Sequence, residues 1–151
     1  MPVFESELAQ KFSIFFLLVS TIIIVYPILF FEYLLAPSEY LPYFSAVIEE
    51  LIKCSLIYFF MAKTKPDFKS SVLYGLAVGG GYGFLENIIY ALNYLSNPYF
   101  SSIVLMRFLY PFMIHINASV VFSALNQKKL GIIGFLFAVM IHLIYNIILL
   151  A

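Results

Sequence analysis

Charged residues are scarce in this 151-residue chain, at 11% of the sequence against 64% hydrophobic residues. Soluble domains carry roughly a quarter charged residues, and a soluble fold of this size could not bury so much apolar surface. The scarcity of charge therefore excludes a soluble globular protein and indicates lipid as the solvent. The formal net charge is zero, so the charge balance gives no indication of a nucleic-acid partner.

Cysteine and basic N-terminal residues are also lacking. Cys54 is the single cysteine, which excludes an internal disulfide. The first ten residues contain Glu5 and Glu7 where a signal peptide would be basic. The apolar run that follows is longer than a signal-peptide core, so we expect it to be a retained helix.

Five apolar stretches approach or exceed the roughly 20 residues that a helix needs to cross the hydrocarbon of a bilayer. Short connectors that contain Pro, Asn or Lys separate them. The sequence therefore predicts an all-α integral membrane protein, a bundle of five transmembrane helices that forms one domain over residues 1–151. The predicted spans are Phe12–Leu35, Leu41–Ala62, Ser71–Leu95, Ser102–Leu125 and Gly131–Ala151.

The basic residues of the connectors predict the orientation in the membrane. Lys11, the lysines of the 63–69 loop, and Lys128 with Lys129 all fall on one side, and the opposite connectors contain no Lys or Arg. By the positive-inside rule we expect a multi-pass protein of the cell membrane with a cytoplasmic N-terminus and an outer C-terminus. Two basic residues, Lys53 and Arg107, then lie within the membrane.

Ionisable residues within membrane helices are costly and indicate a functional site by default. Measured from the outer ends of their spans, the acids and histidines of four helices lie within roughly 6 Å of one another along the membrane normal. The spacing therefore predicts one polar layer, somewhat outward of the midplane. Its ionisable members are Glu49, Glu50, Lys53, Glu86, Arg107, His115 and His142.

Local spacing supports this layer. Glu49 and Lys53 are four residues apart with Glu first, the favourable order for a helical ion pair. His142 and Asn146 share a helix face, as do His115 and Ser119, each pair at four-residue spacing. Arg107 has two interpretations: its side chain reaches the membrane surface, or it closes an ion pair within the bundle.

Small residues and a proline predict how the helices pack. Gly75, Gly79 and Gly83 share one face of the third span, where small residues let helices approach closely. Glu86 and Asn87 continue that face. Pro111 removes a backbone hydrogen bond to Arg107 and predicts a kink one turn before His115.

Four ordered motifs resemble the PrsW-type intramembrane proteases, a family distantly similar to the CAAX prenyl proteases. The resemblance covers the second to fifth spans, about two thirds of the chain. The CAAX relatives carry Arg one position after Lys53 and His in place of Glu86, which argues against prenyl-peptide specificity. The motifs are Glu49-Glu50-Leu-Ile-Lys53, Gly83-Phe-Leu-Glu86-Asn87-Ile-Ile-Tyr90, His115 with Ser119, and His142 with Asn146.

The resemblance implies hydrolysis of a peptide bond in a membrane-anchored protein, such as an anti-sigma factor or another single-pass substrate. It implies that residues 1–151 form a single transmembrane catalytic domain. Elements that control substrate access could be supplied by oligomerisation. The implied catalytic residues are Glu49, Glu50, Glu86, His115 and His142. To these we add Asn146 as a catalytic residue, with Lys53, Asn87 and Ser119 in support.

Two forms of the reaction stay open at this point. In the favoured form, which needs no cofactor, Glu49 or Glu50 activates a water oriented by His115 or His142, and Asn146 with the other histidine stabilises the oxyanion. In the second form a zinc ion is bound by residues from separate helices. Its candidate ligands are Glu50, Glu86, His115 and His142.

A function without catalysis is the alternative. Layers of acids and histidines also form proton or ion relays in transporters, although the absence of an inverted repeat argues against one. A membrane-embedded scaffold that binds a partner through its glycine face is the other candidate. Loss of cleavage with retained partner binding, on mutation of one glutamate, separates a protease from both.

Overall fold

The computed structural model describes residues 11–25, 27 and 41–150. Over those ranges the chain is all-α, with no strand, as the composition predicts. In chain order the helices are α1 (Lys11–Val25), α2 (Leu41–Thr64), α3 (Phe68–Asn93), α4 (Phe100–Leu109), α5 (Pro111–Gln127) and α6 (Gly131–Leu150).

The helices follow the predicted spans closely. The bounds of α2, α3 and α6 lie within three residues of the second, third and fifth predicted spans. The first span, predicted as Phe12–Leu35, is helical over α1, and residues 26 and 28–40 of it and its connector lie outside the described residues.

The fourth predicted span is divided by Pro111, as expected. Proline has no N–H to donate to the carbonyl of Arg107, so the helix is interrupted there. Tyr110 alone separates α4 from α5, and backbone hydrogen bonds on both sides keep the two segments continuous: Tyr110 N–H donates to Met106 O at 2.9 Å, and Ile114 N–H donates to Tyr110 O at 3.0 Å. The break lies four residues before His115, and the predicted kink there stays a prediction.

Three stretches are long and apolar enough to cross a membrane: α3, α4 with α5 as Phe100–Gln127, and the Gly131–Ile148 part of α6. α2 has 24 residues, but each of its 18-residue windows includes three charged side chains: Glu49, Glu50 and Lys53. The described part of α1 is shorter than 18 residues. The chain is thus a multi-pass helical membrane protein, and the count of five spans stays a prediction.

The glycine face of α3 packs directly on α5, which confirms its predicted role. A Cβ atom added to Gly75 would lie 2.7 Å from the carbonyl oxygen of Ser119, and one added to Gly79 would lie 2.7 Å from Cα of Ile116. Only glycine permits so close an approach of two helix backbones. α3 and α5 accordingly form the most extensive helix pair of the described bundle.

The bundle exposes apolar residues and buries ionisable ones. On the outer face of α6, Ile132 and Ile148 are 80% and 69% exposed. The interior contains an apolar cluster with Leu17, Ile57 and Val78, and also charged and polar side chains. This is the distribution that a lipid solvent favours, and it places the charged side chains at the centre of the molecule.

Two lysine-bearing connectors meet at one end of the bundle. The Gln127 side chain donates from Nε2 to the carbonyl oxygen of Pro66 at 2.8 Å, which joins the end of α5, just before the α5–α6 connector, to the α2–α3 connector. Asp67 caps α3 by accepting a hydrogen bond from Ser70 N–H at 2.8 Å and another from Ser70 Oγ. These hydrogen bonds, that of the side chain first, hold the pKa of Asp67 below its ordinary value of 3.8.

Candidate active site

α2 carries Glu49, Glu50 and Lys53 into the interior, where they are 4%, 0% and 1% exposed. Buried charges require partners with good geometry, because removal from water costs several kcal/mol per ion. α2 cannot supply all of those partners itself. The remaining ones come from α3, α5 and α6.

Lys53 pairs with Glu50, whereas the four-residue spacing had predicted Glu49 as its partner. Its ammonium nitrogen lies 2.5 Å from Glu50 Oε1 and 2.8 Å from His115 Nδ1. Spacings of three and four residues both bring helical side chains together. The contact with His115 on α5 favours the conformation that reaches Glu50.

His115 is held on both sides of its ring. An ammonium group has only donors, so Nδ1 accepts the hydrogen bond from Lys53. The proton of the neutral ring is then on Nε2, which donates to Glu86 Oε2 at 2.5 Å. The tautomer of His115 is therefore assigned by its hydrogen bonds.

Arg107 closes an ion pair, which decides between its two interpretations. Its Nη2 donates to Glu86 Oε1 at 3.0 Å, and its guanidinium lies 3.4 Å from the ring centroid of Tyr90. Both oxygens of Glu86 are thus engaged, one by Arg107 and one by His115. Glu86 fixes the His115 ring, and Arg107 fixes Glu86.

His142 faces both glutamates of α2. Its Nδ1 lies 2.9 Å from Glu50 Oε1, and its Nε2 lies 4.0 Å from Glu49 Oε2. The His142 ring also meets the His115 ring edge-on, with centroids 5.0 Å apart. A proton on Nδ1 satisfies the contact with Glu50 and leaves the Nε2 lone pair directed toward Glu49.

The structure thus brings together five of the predicted site residues: Glu49, Glu50, Glu86, His115 and His142. They form, with Lys53 and Arg107, a continuous set of contacts that includes side chains of α2 to α6. We refer to these seven residues as the acid–histidine cluster.

Three predicted residues lie beside the cluster. Asn146 is half-buried, one turn beyond His142 on α6. Ser119 is fully buried one turn beyond His115, and Asn87 is 2% exposed on α3. The Ser119 hydroxyl and both polar atoms of the Asn87 side chain have no hydrogen-bond partner within the described part of the chain.

Tyr82 is a site residue whose contacts the sequence did not predict. Its ring lies against His115, with centroids 4.9 Å apart, and the Lys53 ammonium lies 4.5 Å from its centroid. Tyr82 is 1% exposed. Its signal in the sequence was its position directly before the second motif, four residues before Glu86, but a buried aromatic residue there is also consistent with simple packing.

One carboxylate and two imidazoles of the cluster have the arrangement of a metal site. Glu49, His115 and His142 each offer one ligand atom, and these atoms lie within 4.8 Å of one another in a buried position. A Glu–His–His set is typical of catalytic zinc, with a fourth position for water. Glu50 and Glu86, which the sequence included among the candidate ligands, instead contact other side chains of the cluster through Oε1 of Glu50 and both oxygens of Glu86.

The hydrogen bonds of His115 and His142 agree with a metal site formed by these two histidines and Glu49. Histidines that bind metals usually donate their other ring N–H to a carboxylate or carbonyl, which fixes the tautomer. Here Glu86 accepts from His115 Nε2, and Glu50 accepts from His142 Nδ1. The remaining lone pairs belong to His115 Nδ1, which contacts Lys53, and to His142 Nε2, which faces Glu49.

Comparison with known proteins agrees with the motifs. A family model described as PrsW family intramembrane metalloprotease matches residues 11–151, nearly the whole chain. No curated protein and no solved structure matches it. The chain is therefore a member of the PrsW family of intramembrane proteases.

Proposed function

We propose that this chain hydrolyses a peptide bond in a membrane-anchored protein, of the anti-sigma-factor-like or another single-pass type. One observation carries the proposal: Glu49, His115 and His142 meet within 4.8 Å in a buried position, beside Glu50. Packing alone does not account for so many buried ionisable groups, because the cost of removing charges from water can exceed the gain even when they are paired. Acids and histidines at hydrogen-bonding distance are the groups that proton transfer in hydrolysis requires.

Glu50 is the proposed general base. Its Oε1 accepts from Lys53 and His142, while its Oε2 is buried and has no hydrogen-bond partner among the residues described. Oε2 is therefore available to accept a proton from the attacking water. The water oxygen bonds to the carbonyl carbon, and Glu50 then passes the proton to the leaving nitrogen as the C–N bond breaks.

Lys53 and His142 hold Glu50 in position for this transfer. Lys53 compensates the negative charge of the carboxylate, and His142 fixes its orientation. Glu86, held by Arg107, orients His115 in the same way. Asn146, one turn from His142, is the proposed amide donor to the developing oxyanion. Asn87 and Ser119 are proposed to support the polar interior beside it.

The donor set favours the metal-dependent form of the reaction over the form without a cofactor. Glu49, His115 and His142 would hold a Zn²⁺ ion, with Glu86 and Glu50 orienting the two histidines. Bound zinc polarises a carbonyl and lowers the pKa of a bound water. To bind the ion through Nδ1, His115 would have to release the hydrogen bond that Nδ1 accepts from Lys53.

Metal content tests this part of the proposal directly. Purified wild-type protein should contain close to one zinc ion per chain, whereas His142→Ala should lose it, because one of three ligands is removed. Exhaustive chelation should remove both the metal and the cleavage activity, and added Zn²⁺ should restore them. Full activity in metal-free protein would refute the zinc-dependent form of the reaction and favour the form that needs no cofactor.

Cleavage in liposomes tests the reaction class. Wild-type protein, reconstituted with single-pass membrane proteins, should convert a substrate to two fragments. Glu49→Gln/Glu50→Gln should bind the same substrate in a pull-down but leave it intact. A substrate that binds wild-type protein and is never cleaved would favour the scaffold, and acidification coupled to transport would favour a proton relay.

We further propose five membrane spans, with the N-terminus in the cytoplasm. The contact between Gln127 and Pro66 puts two lysine-bearing connectors at one end of the bundle, which supports the common side that the positive-inside rule requires. With Cys54 replaced by Ala, a cysteine at Ser96 should react with an impermeant thiol reagent added to cells. A cysteine at Lys69 should not, and the opposite labelling would reverse the orientation. Both positions are exposed, unlike neighbouring Ser70, which is buried.

A distant similarity to the CAAX prenyl proteases is proposed on the motif order alone. Glu86 and Lys53 differ from that group, so we expect no preference for prenylated peptides. Equal cleavage of a substrate with and without a prenyl group would support this expectation, and faster cleavage of the prenylated form would contradict it.

A further inference from the structure

A groove separate from the acid–histidine cluster opens between α2, α5 and α6. Its volume is about 1290 Å³, and none of the seven cluster residues lines it. On α2 it extends from Leu51 to Lys65, just beyond the helix end, and on the opposite side it is lined by Ile132, Ile133 and Phe135. Leu51 and Lys65 are about 20 Å apart along the helix, which exceeds the roughly 15 Å half-thickness of the hydrocarbon core.

The wall of the groove is apolar and its mouth is basic. Leu51, Tyr58 and Phe135 belong to the wall, and Lys65 and Lys129 lie at the connector end. No carboxylate is among its lining residues, all of which belong to the described part of the chain. A positive mouth above an apolar wall is complementary to a molecule with an anionic head and a hydrocarbon tail.

The backbone at the mouth is unusual at the same two residues. Lys65 and Lys129 have φ values of 47° and 63°, and they are the only non-glycine residues with positive φ over the ranges described. Glycine or asparagine normally occupies such positions at helix ends, because a Cβ is unfavourable there. Strained positions of this kind concentrate at functional sites.

The two neighbouring lysines serve as a contrast. Lys63 Nζ lies 5.6 Å from the ring centroid of Phe59, and Lys128 Nζ lies 5.9 Å from that of Phe68. Neither Lys63 nor Lys128 lines the groove. The same two connectors thus contain one pair of lysines at the groove mouth and one pair over aromatic rings.

We propose that this groove binds an anionic glycerophospholipid, with its phosphate between Lys65 and Lys129 and an acyl chain along the apolar wall. The lipid would bridge α2, α5 and α6, the helices that carry Glu49, His115 and His142. Occupancy should therefore stabilise the packing of the catalytic helices. The proposal is independent of the protease reaction, because no residue of the cluster takes part.

Lipid titration of the purified full-length chain tests the site. In neutral detergent, phosphatidylglycerol should bind as one retained molecule in native mass spectra and should raise the melting temperature. Phosphatidylcholine with identical acyl chains should bind more weakly. Lys65→Asn/Lys129→Asn should weaken phosphatidylglycerol binding about thirtyfold, which corresponds to about 1 kcal/mol for each lysine. Asparagine tolerates positive φ, so this variant should fold.

The matched control is Lys63→Gln/Lys128→Gln, which removes two positive charges from the same connectors and should retain the preference for phosphatidylglycerol. Ser55→Phe, in the groove wall, should weaken binding of both lipids by filling space. Equal loss in the control variant would reduce the effect to general surface charge and overturn the proposal.

Two further outcomes would assign the groove to another ligand. Full competition by inorganic phosphate would show an anion site without an acyl chain. Unchanged lipid binding in Lys65→Asn/Lys129→Asn, together with lost substrate binding, would show that the groove holds a protein segment. Either result would refute the lipid site, and neither would bear on whether the acid–histidine cluster hydrolyses peptides.

Discussion

Replacement of Glu50 should destabilise the fold more than replacement of Glu49, because Lys53 pairs with Glu50 at 2.5 Å. The two partners are 1% and 0% exposed, so Glu50→Gln leaves a buried ammonium without its counter-charge. Removing one partner of a buried pair costs about 3 to 5 kcal/mol. The amide of Gln can still accept hydrogen bonds at Oε1, so we expect a loss near 3 kcal/mol.

A double-mutant cycle isolates this pair. Lys53→Met/Glu50→Gln removes both charges, and replacement of a whole buried pair is close to neutral. The double variant should therefore recover most of the stability that Glu50→Gln loses. The free energies of unfolding are measured by SDS titration in mixed micelles. A larger loss in Glu49→Gln, or no recovery in the double variant, would refute the assigned pairing.

The remaining predictions concern packing, orientation and acid sensitivity. Gly79→Val should lose at least about 1 to 3 kcal/mol of stability through overpacking against α5. Gly80→Val is the control: a Cβ there has no neighbour within 4 Å, so its stability should stay within about 0.5 kcal/mol of wild type. Equal losses in the two variants would contradict the close approach of α3 to α5 at Gly79. Arg107→Leu should lower zinc affinity about 10- to 100-fold, because Glu86 loses the hydrogen bond that holds it in place. Partial recovery of the zinc affinity in Arg107→Lys would show that the positive charge contributes separately from the shape of the guanidinium group. Because the pKa of Asp67 is lower in the folded chain than its ordinary value of 3.8, the ionised carboxylate stabilises the folded state at pH values above 3.8. This contribution is lost as the pH falls through the pKa of the folded state. Asp67→Asn should therefore melt with a smaller difference between pH 7 and pH 3 than wild type, and an unchanged difference would exclude this contribution.

Much of the fold follows from local features of the sequence. The break at Pro111 follows from its missing N–H, and the α3–α5 contact follows from glycines at four-residue spacing, because both are properties of a single helix. The membrane depth of the acids and histidines could likewise be counted along each span. That depth predicted a common layer, and the structure places those residues in contact.

The pairing within the layer depends on distances between helices, which no single span contains. Lys53 reaches Glu50 because His115 of α5 lies on the same side. Glu49 belongs to the Glu–His–His set because its ligand atom lies within 4.8 Å of those of His115 and His142, which other helices carry. A sequence gives the spacing along a helix, but the rotation of each helix about its axis is decided by packing against the others.

The rate of cleavage by Glu50→Gln, compared with wild type at equal amounts of folded protein, tests the central claim most directly. Proteoliposomes with one single-pass substrate provide the assay, and SDS titration fixes the folded fraction. If Glu50 is the general base, the rate should fall by at least about 100-fold, while substrate binding persists. Cleavage at the wild-type rate by both Glu50→Gln and Glu49→Gln would contradict the glutamate-dependent protease.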